Sequence, residues 1–218
     1  MRSKIGTKGQ EPRSFIEQAR RTQIIASAIE VIAERGFGRA SLVEIARHAG
    51  ISKGVISYHF GGKDELIRET VTSVYTEAFE TTGNRMERES SAAGQLRAYI
   101  RGRLDYMKTH RRRMLAMVEI FSNFRNSEGR LHYDASYNEP VFEWLESIFK
   151  AGQESGEFRA FGTRVMAIAL QGALDSLLFE LPLHPEIDLE TYAAELTMLF
   201  DHATRAQDTE RTTGSTVP

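Results

Sequence analysis

The sequence of 218 residues is 41% apolar and 27% charged, has a net charge of −2 and contains no cysteine. This composition is that of a globular protein with room for one large or two modest cores. The missing cysteines exclude disulfides and thiolate–zinc sites and favour a reducing, cytoplasmic location. The most apolar window, 165–174, is too short to cross a bilayer, so no membrane partner is expected.

Charge is unevenly distributed along the chain. Residues 1–60 contain ten Lys/Arg and five Asp/Glu, whereas the remainder has a net charge of −7. A basic N-terminal quarter joined to an acidic body suggests that the first part binds a polyanion and the rest does not.

Apolar residues recur with helical spacing nearly throughout, which predicts an all-α chain. Residues 1–13 are polar and are predicted to form a disordered basic arm. A first helix follows and ends at Gly36. Ser41 and Glu44 form a predicted capping box, in which the Ser41 hydroxyl caps the backbone and Glu44 reaches back. This box begins a second helix, which Gly50 ends.

A third, short helix is predicted between Ser52 and Phe60. Ser52 is placed to cap it, and Ile51 and Ile56 are placed as a hydrophobic staple. A longer helix begins near Lys63. The later segments are five predicted helices, over residues 92–108, 110–126, 136–154, 162–181 and 188–206, and a disordered tail, 207–218.

The order of helix, glycine-containing turn and short helix is typical of a helix-turn-helix, whose second helix enters the major groove of DNA. Two turns suffice for such a helix, since few of its side chains reach base edges at once. The residues left for phosphates and bases are Ser41, Ser52, Lys53, Gly54, Val55, Ser57, Tyr58, His59 and Lys63. The alternative is a three-helix core with an incidental short helix.

Residues from about 18 to 66 resemble the DNA-binding domain of the TetR family of bacterial transcriptional regulators. The matching segments are Ile24-Ile25-Ala26 to Gly36-Phe37, Ser41-Leu-Val-Glu-Ile-Ala46, Ala49-Gly50-Ile51-Ser52-Lys53-Gly54, Tyr58-His59-Phe60 and Lys63-Asp64-Glu65-Leu66. The resemblance implies a dimeric repressor that binds a palindromic operator and is released when a small molecule binds its C-terminal domain. We therefore expect a three-helix DNA-binding domain at 14–62 and a larger helical ligand-binding and dimerisation domain at 63–206.

Two positions depart from the family's pattern. Position 57, often aromatic in the family and in contact with the DNA backbone, is Ser57, and position 61, often basic, is Gly61. The changes remove an aromatic contact and a charge, so they bear on phosphate contacts and operator choice and not on the fold.

The last two predicted helices each carry an apolar stripe, which packing within one chain would explain. The resemblance implies instead that these helices dimerise in a four-helix bundle. The predicted interface is Leu170, Leu174, Leu177, Leu196, Leu199 and Phe200. Two copies spaced about one DNA turn apart would then read a palindrome.

The middle helices are rich in large, adaptable side chains, which either fill a core or line an apolar ligand cavity. Gln171 and Asp175 are i, i+4 neighbours on an otherwise apolar helix, and Glu119 is a further polar candidate. A carboxylate facing such a cavity would suit a cationic or hydrogen-bonding ligand. The predicted ligand-binding residues are Tyr106, Met117, Phe121, Phe124, Trp144, Gln171 and Asp175.

The run Lys108-Thr-His-Arg-Arg-Arg113 opposes the dipole of the helix that it begins. One interpretation is a solvated face paired with local acids. Another is a contact close to the DNA-binding domain that couples ligand binding to it.

The sequence has no pattern typical of catalysis, of a cofactor or of a metal site. It lacks a nucleophile elbow, a P-loop and a GxGxxG after a strand, and its six histidines lack ligand spacing. The expected partners are double-stranded DNA, an unidentified small molecule and a second copy of the chain. An activator, or an architectural DNA-binding protein without a ligand, is the alternative to a repressor.

Overall fold

The computed structural model describes residues 15–206, so the predicted arm at 1–13 and the predicted tail at 207–218 lie outside the described residues. Within the described range the chain is helical, and its β-type pairings are two isolated bridges. The prediction of an all-α fold is confirmed.

Nine α-helices and two 3₁₀ turns, Phe37–Arg39 and Ala135–Asn138, form along residues 15–206. The helices are α1 (Phe15–Arg35), α2 (Leu42–Ala49), α3 (Lys53–His59), α4 (Lys63–Met86), α5 (Ala92–Thr109), α6 (Arg111–Asn123), α7 (Glu139–Glu154), α8 (Thr163–Glu180) and α9 (Leu189–Thr204).

The three N-terminal helices share a small apolar core. Its centre is fully buried and consists of Ile24, Ala28, Ile32, Ile45 and Ile56. Gly50 ends α2 in the left-handed region at φ 66°, and the following Ile51 N–H donates to the Ala46 carbonyl at 3.0 Å. This Schellman closure turns the chain sharply toward α3, and an L-residue at Gly50 would cost about 1 kcal/mol.

Helix α4 joins the N-terminal helices to the larger part of the chain, because it packs against both α1 and α5. The buried core is continuous along it. In the larger part α7 packs on α8 and α5 on α9, while α6 packs back against α1. Helix α6 therefore lies between the N-terminal helices and the rest of the fold.

The structure differs from the predicted boundaries around α6 and α7. Helix α6 ends at Asn123 because Phe124 is extended, with φ −74° and ψ 118°. Helix α7 begins at Glu139, where Pro140 occupies the first turn and suits the start of a helix. The intervening segment, 124–138, leaves the helical period and brings a group of aromatic side chains against the larger part of the fold.

Candidate functional site

The short helix α3 is held in place by its neighbours. Its Ile56 and the following Phe60 are 0% and 1% exposed. The guanidinium of Arg21, a buried residue of α1, donates to the His59 carbonyl and lies 4.3 Å from the centre of the Phe60 ring. Arg21 also pairs with Glu69 of α4 at 3.0 Å. One arginine therefore fixes the C-terminal end of α3 to two long helices.

The opposite face of α3 is open to solvent. Most of the predicted DNA contacts are exposed: Ser41, Ser52, Lys53, Gly54, Ser57 and Tyr58. Tyr58 is 80% exposed and contacts the His59 ring edge-to-face at 5.1 Å, while Val55 and His59 are half-buried. An exposed aromatic ring on a helix anchored from behind is suited to contact with a partner surface.

The predicted helix caps are partly correct. The Ser41 hydroxyl accepts from the Glu44 N–H at 3.2 Å, as expected. The Glu44 carboxylate does not reach back; it pairs with Arg35 and with Arg47, and the Arg47 hydrogen bond lowers the pKa of Glu44. Ser52 occupies the N-cap position of α3, but its hydroxyl makes no capping hydrogen bond, so that prediction was wrong.

Lys63, a predicted DNA contact, is half-buried and bonds within the chain. Its ammonium donates to the Phe37 carbonyl at 3.0 Å and lies 4.3 Å from the centre of the Phe37 ring, and burial lowers the pKa of Lys63. The prediction that it contacts phosphate is corrected, because its charge is committed within the chain. Arg39, which the sequence reasoning passed over, is an exposed cation in the adjoining 3₁₀ turn.

The second candidate site is a pair of adjoining cavities, lined by α4, α6, α8 and their neighbours. The first, which we call the inner cavity, has a volume of about 20 Å³ and is lined mainly by aromatic and methionine side chains together with Arg103 and Asp175. The second, the aromatic cavity, has a volume of about 450 Å³ and is walled partly by the segment 131–138. Asp175 lines both.

Four of the predicted ligand-binding residues line the inner cavity: Tyr106, Met117, Phe121 and Asp175. The other three lie outside the linings of both cavities. Trp144 packs edge-to-face on Tyr99 at 5.2 Å, and Phe124 contacts Phe37 at 5.8 Å. Gln171 is 1% exposed and is hydrogen-bonded to Asp175. Helical spacing selected apolar side chains correctly but could not distinguish cavity walls from the core behind them.

A chain of hydrogen bonds fixes Asp175 against the cavities. The Tyr99 hydroxyl donates to Gln171 Oε1 at 2.6 Å, and Gln171 Nε2 donates to Asp175 Oδ1 at 2.8 Å. Asn138 Nδ2 donates to the other carboxylate oxygen at 2.8 Å. Burial raises the pKa of Asp175, and burial also raises the pKa of Tyr99 to about 12. Gln171 thus positions the carboxylate without lining a cavity.

Sequence reasoning missed the tyrosines of the aromatic cavity. Tyr133 and Tyr137 come from the loop after α6, and their ring centres are 4.7 Å apart. Tyr137 contacts Tyr75 of α4, and Tyr133 contacts Phe121, each at 5.4 Å. Burial raises the pKa of Tyr133 to about 12. The available signal was three aromatic or histidine rings within residues 132–137, where the predicted loop meets the predicted helix 136–154.

Helix α6 connects the cavities to the N-terminal helices. Its Met117 and Phe121 line the inner cavity, while Glu119, on another face, accepts the Phe37 N–H at 2.9 Å. Glu119 was a polar candidate for the cavity, and the structure places it at this connection instead. Any β-carbon at Gly36 would come within 3.2 Å of the same carboxylate. The start of the turn before α2 is therefore held by the helix that lines the cavity.

The basic run at 108–113 lies at the same junction. Arg112 pairs with Glu30 of α1 at 2.6 Å, Arg113 pairs with Glu77 of α4, and Lys108 pairs with Glu190 of α9 at 2.9 Å. The run is paired with acids, as one interpretation expected, and one of those acids belongs to the N-terminal helices. Its role in coupling stays a prediction.

The predicted dimer interface is corrected by burial. Leu170, Leu174, Leu177, Leu196 and Phe200 are at most 6% exposed within a single chain, so they offer no surface to a second one. Leu199 is the exception at 61%. The stripes read from the sequence face the chain's own core, and the apolar residues on the outer faces of α8 and α9 are Val165, Ile168, Met198 and Leu199.

Two negative findings apply to the described part of the chain, 15–206. It contains no group of His, Cys, Asp and Glu side chains arranged to hold a metal ion. It also contains no helix long and apolar enough to span a membrane.

Residues 24–70 match the family model of bacterial regulatory proteins of the tetR family. The chain is 35% identical over 96 residues to the HTH-type transcriptional regulator BetI 2 of Chromohalobacter salexigens, an alignment that covers 43% of this chain and 46% of that protein. The chain spans about half the length of the curated relatives it matches.

Solved structures share the fold over most of the chain. The regulator FadR of Bacillus subtilis, solved with stearoyl-CoA, aligns with a TM-score of 0.71 and 22% identity over 82% of this chain and 96% of its own. A transcriptional regulator of Saccharomonospora viridis, solved with choline, aligns with a TM-score of 0.74 and 20% identity over 87% and 100%. At these identities the likeness shows the fold alone.

Proposed function

We propose that this chain, whose residues 24–70 match the tetR family model, is a TetR-family transcriptional regulator whose DNA binding responds to a small molecule. The DNA-binding domain is residues 14–62, and 63–206 binds the effector and a second copy. Since its partner is DNA, it acts in the cytoplasm. The DNA contacts are Ser41, Ser52, Lys53, Gly54, Val55, Ser57, Tyr58 and His59, with Arg39 in place of Lys63.

One observation carries this proposal: a single helix, α6, touches both candidate sites. Phe121 on one side of α6 lines both cavities, and Glu119 on another holds the Phe37 N–H at 2.9 Å. A ligand that moves Phe121 therefore disturbs a hydrogen bond to the segment that leads into α2. An enzyme would need reactive groups converging on the cavity, and its described walls are dominated by aromatic and apolar side chains.

The regulator acts as a homodimer on a palindromic operator. The supporting feature is the outward face of α8 and α9, where Val165, Ile168, Met198 and Leu199 are between 48% and 72% exposed. Gly172 is exposed on the same helix as the first two, and a residue without a side chain permits close helix approach. Burying four such side chains favours association, and two copies of α3 then read two half-sites with summed energy.

The mechanism is a population shift. The effector favours an arrangement of α6 and the N-terminal helices in which the two copies of α3 no longer match successive major grooves, so the repressor leaves its operator. A ligand that binds the free and the DNA-bound dimer with equal affinity cannot shift the equilibrium.

The fold alone does not select the effector. The two structural neighbours described above were solved with stearoyl-CoA and with choline, which differ widely in size and charge. The cavity side chains of this chain must therefore decide, and they include both a carboxylate and a guanidinium.

Nuclease protection on the DNA that flanks the protein's own gene tests the proposed function. We expect one protected, palindromic site, and we expect protection to be lost when a ligand found by thermal shift is added. A protein that coats this DNA without a preferred site would overturn the regulatory proposal. A preferred site whose occupancy no stabilising ligand changes would overturn the effector response.

A further inference from the structure

A sheltered cation, Arg103, lines the inner cavity and forms no hydrogen bond or ion pair with the described residues. Arg103 of α5 is partly buried, and its Nε atom, which is shielded from solvent, makes no hydrogen bond within the described chain. The other arginines that are not exposed along residues 15–206 all bond to a neighbour: Arg20, Arg21, Arg113 and Arg164. A buried N–H without an acceptor is unfavourable, so Arg103 requires an acceptor that the described chain does not supply.

Asp175 lines the same cavity but does not satisfy Arg103. Its two carboxylate oxygens accept from Gln171 and Asn138, each at 2.8 Å, and it forms no ion pair with the guanidinium. Amide donors hold a carboxylate in position without neutralising its charge. Arg103 and Asp175 therefore line one cavity without a hydrogen bond between them, although the Arg103 charge acts to lower the pKa of Asp175 against the larger, opposite effect of burial.

The aromatic cavity beside Asp175 has the side chains that attract an organic cation. Tyr75, Phe121, Tyr133 and Tyr137 surround it, with successive ring centres 4.7 to 6.3 Å apart. The faces of aromatic rings attract a cation within about 6 Å of the ring centre. A trimethylated, quaternary ammonium has no N–H to satisfy, so a carboxylate whose oxygens are already hydrogen-bonded can stabilise it through charge alone.

We propose that the effector is a small zwitterion that carries a trimethylated ammonium and a carboxylate. Arg103 lines only the inner cavity, Tyr133 and Tyr137 line only the aromatic cavity, and Asp175 lines both. The ligand carboxylate accordingly enters the inner cavity, where about 20 Å³ admits one small group, and binds Arg103. The ammonium lies among the tyrosines, beside Asp175. This inference rests on the proposed effector response of the same cavities.

Matched probes separate the two charges. Calorimetric titration uses trimethylglycine and the longer 4-trimethylammoniobutanoate as zwitterions. Choline retains the ammonium without the carboxylate, and 3,3-dimethylbutanoate replaces the nitrogen of trimethylglycine by carbon. We expect at least one zwitterion to bind about tenfold or more tightly than either single-charge probe, because a charge-assisted hydrogen bond and a cation–π contact each contribute at about that level.

Two substitutions assign the charges to residues. Arg103→Gln is expected to weaken zwitterion binding by about tenfold or more and to leave choline binding within about twofold. Asp175→Asn is expected to weaken both the zwitterions and choline. Arg101→Gln removes an exposed arginine from the same helix and is the matched control. It is expected to change neither zwitterion binding nor choline binding. If Arg103→Gln does not unfold cooperatively, Arg103→Lys keeps the charge but not the planar fork and should still weaken zwitterion binding.

Three results would overturn the inference. In the first, choline binds as tightly as the zwitterions; in the second, 3,3-dimethylbutanoate binds as tightly as the zwitterions. In the third, no probe binds to the folded dimer. These results leave the regulatory proposal standing if the protein still protects a preferred DNA site. Conversely, a zwitterion that binds through Arg103 but does not alter DNA affinity would support the ligand class and contradict the proposed response.

Discussion

Replacing Arg21 by methionine should loosen α3 while the rest of the fold stays intact. The substitution removes a charge-assisted hydrogen bond to the His59 carbonyl, worth about 1.5–3 kcal/mol. It also removes the contact with the Phe60 ring, worth about 0.5–2 kcal/mol. Glu69 is 45% exposed, so its pair with Arg21 adds at most about 1 kcal/mol.

An opposing effect is that methionine ends the desolvation of a buried guanidinium, which offsets part of these losses. We therefore expect a net destabilisation of about 1–3 kcal/mol, concentrated at α3. Urea unfolding measures the total, and amide hydrogen exchange locates it. Arg88→Met, which removes an exposed arginine after α4, is the matched control.

The reasoning is refuted if Arg21→Met unfolds at the same urea concentration as the wild type. It is equally refuted if the variant is destabilised but the exchange rates of the α3 amides rise above their wild-type values by no more than those of the α5 amides. In the first case the guanidinium contacts would contribute nothing net, and in the second they would not be what holds α3.

Titrations of labelled DNA at several salt concentrations should show that Lys53→Ala reduces the slope of log affinity against log salt by about 0.9 per half-site. Lys63→Ala should leave this slope unchanged, because the Lys63 ammonium is bound to Phe37. Equal slopes for the two variants would contradict this prediction. Sedimentation should show that Leu199→Glu dissociates the dimer, while Leu174→Ala leaves the dimer intact and lowers unfolding free energy by about 2–5 kcal/mol. Burial raises the pKa of Asp175 above its ordinary 3.8, so ionisation disfavours the folded state. Urea unfolding at about pH 4 and about pH 7 should therefore show that the wild type loses stability relative to Asp175→Asn as pH rises. A difference in unfolding free energy between the two proteins that does not change with pH would contradict this prediction.

Local sequence signals predicted most of the fold because they act within one turn of helix. The Ser41 cap and the left-handed Gly50 closure are local, and the structure contains both. The reciprocal half of the capping box failed because Glu44 found two arginines, and Arg35 lies nine residues away in the chain. Ser52 occupies the N-cap position of α3, but its hydroxyl makes no capping hydrogen bond. The sequence therefore predicted where the helix begins and did not predict the hydrogen bond.

Long-range partners account for the site residues that the sequence could not supply. Lys63 begins a helix, but its ammonium is bound to Phe37, 26 residues earlier. Glu119 bonds to the same Phe37 across 82 residues. No spacing rule links residues that far apart, since the two bonds depend on how α4 and α6 pack against the N-terminal helices.

The direction of an apolar stripe is a second limit of sequence reasoning. Helical spacing identified Leu170, Leu174 and Leu177 as one face, but the same pattern describes a core face and a dimer face equally well. The structure resolves the choice because these residues are at most 1% exposed while Ile168, on the outer face of α8, is 48% exposed. Likewise, Tyr133 lies in a non-helical segment, where periodicity carries no information.

The ratio of operator affinities with and without saturating effector tests the central claim that α6 couples the cavities to DNA binding. In the wild type we expect the effector to weaken operator binding by about 5- to 150-fold. In Glu119→Ala, which removes the acceptor of the Phe37 N–H, the ratio should fall toward one although effector binding persists. A wild-type ratio of one, or an undiminished ratio in Glu119→Ala, would contradict the claim.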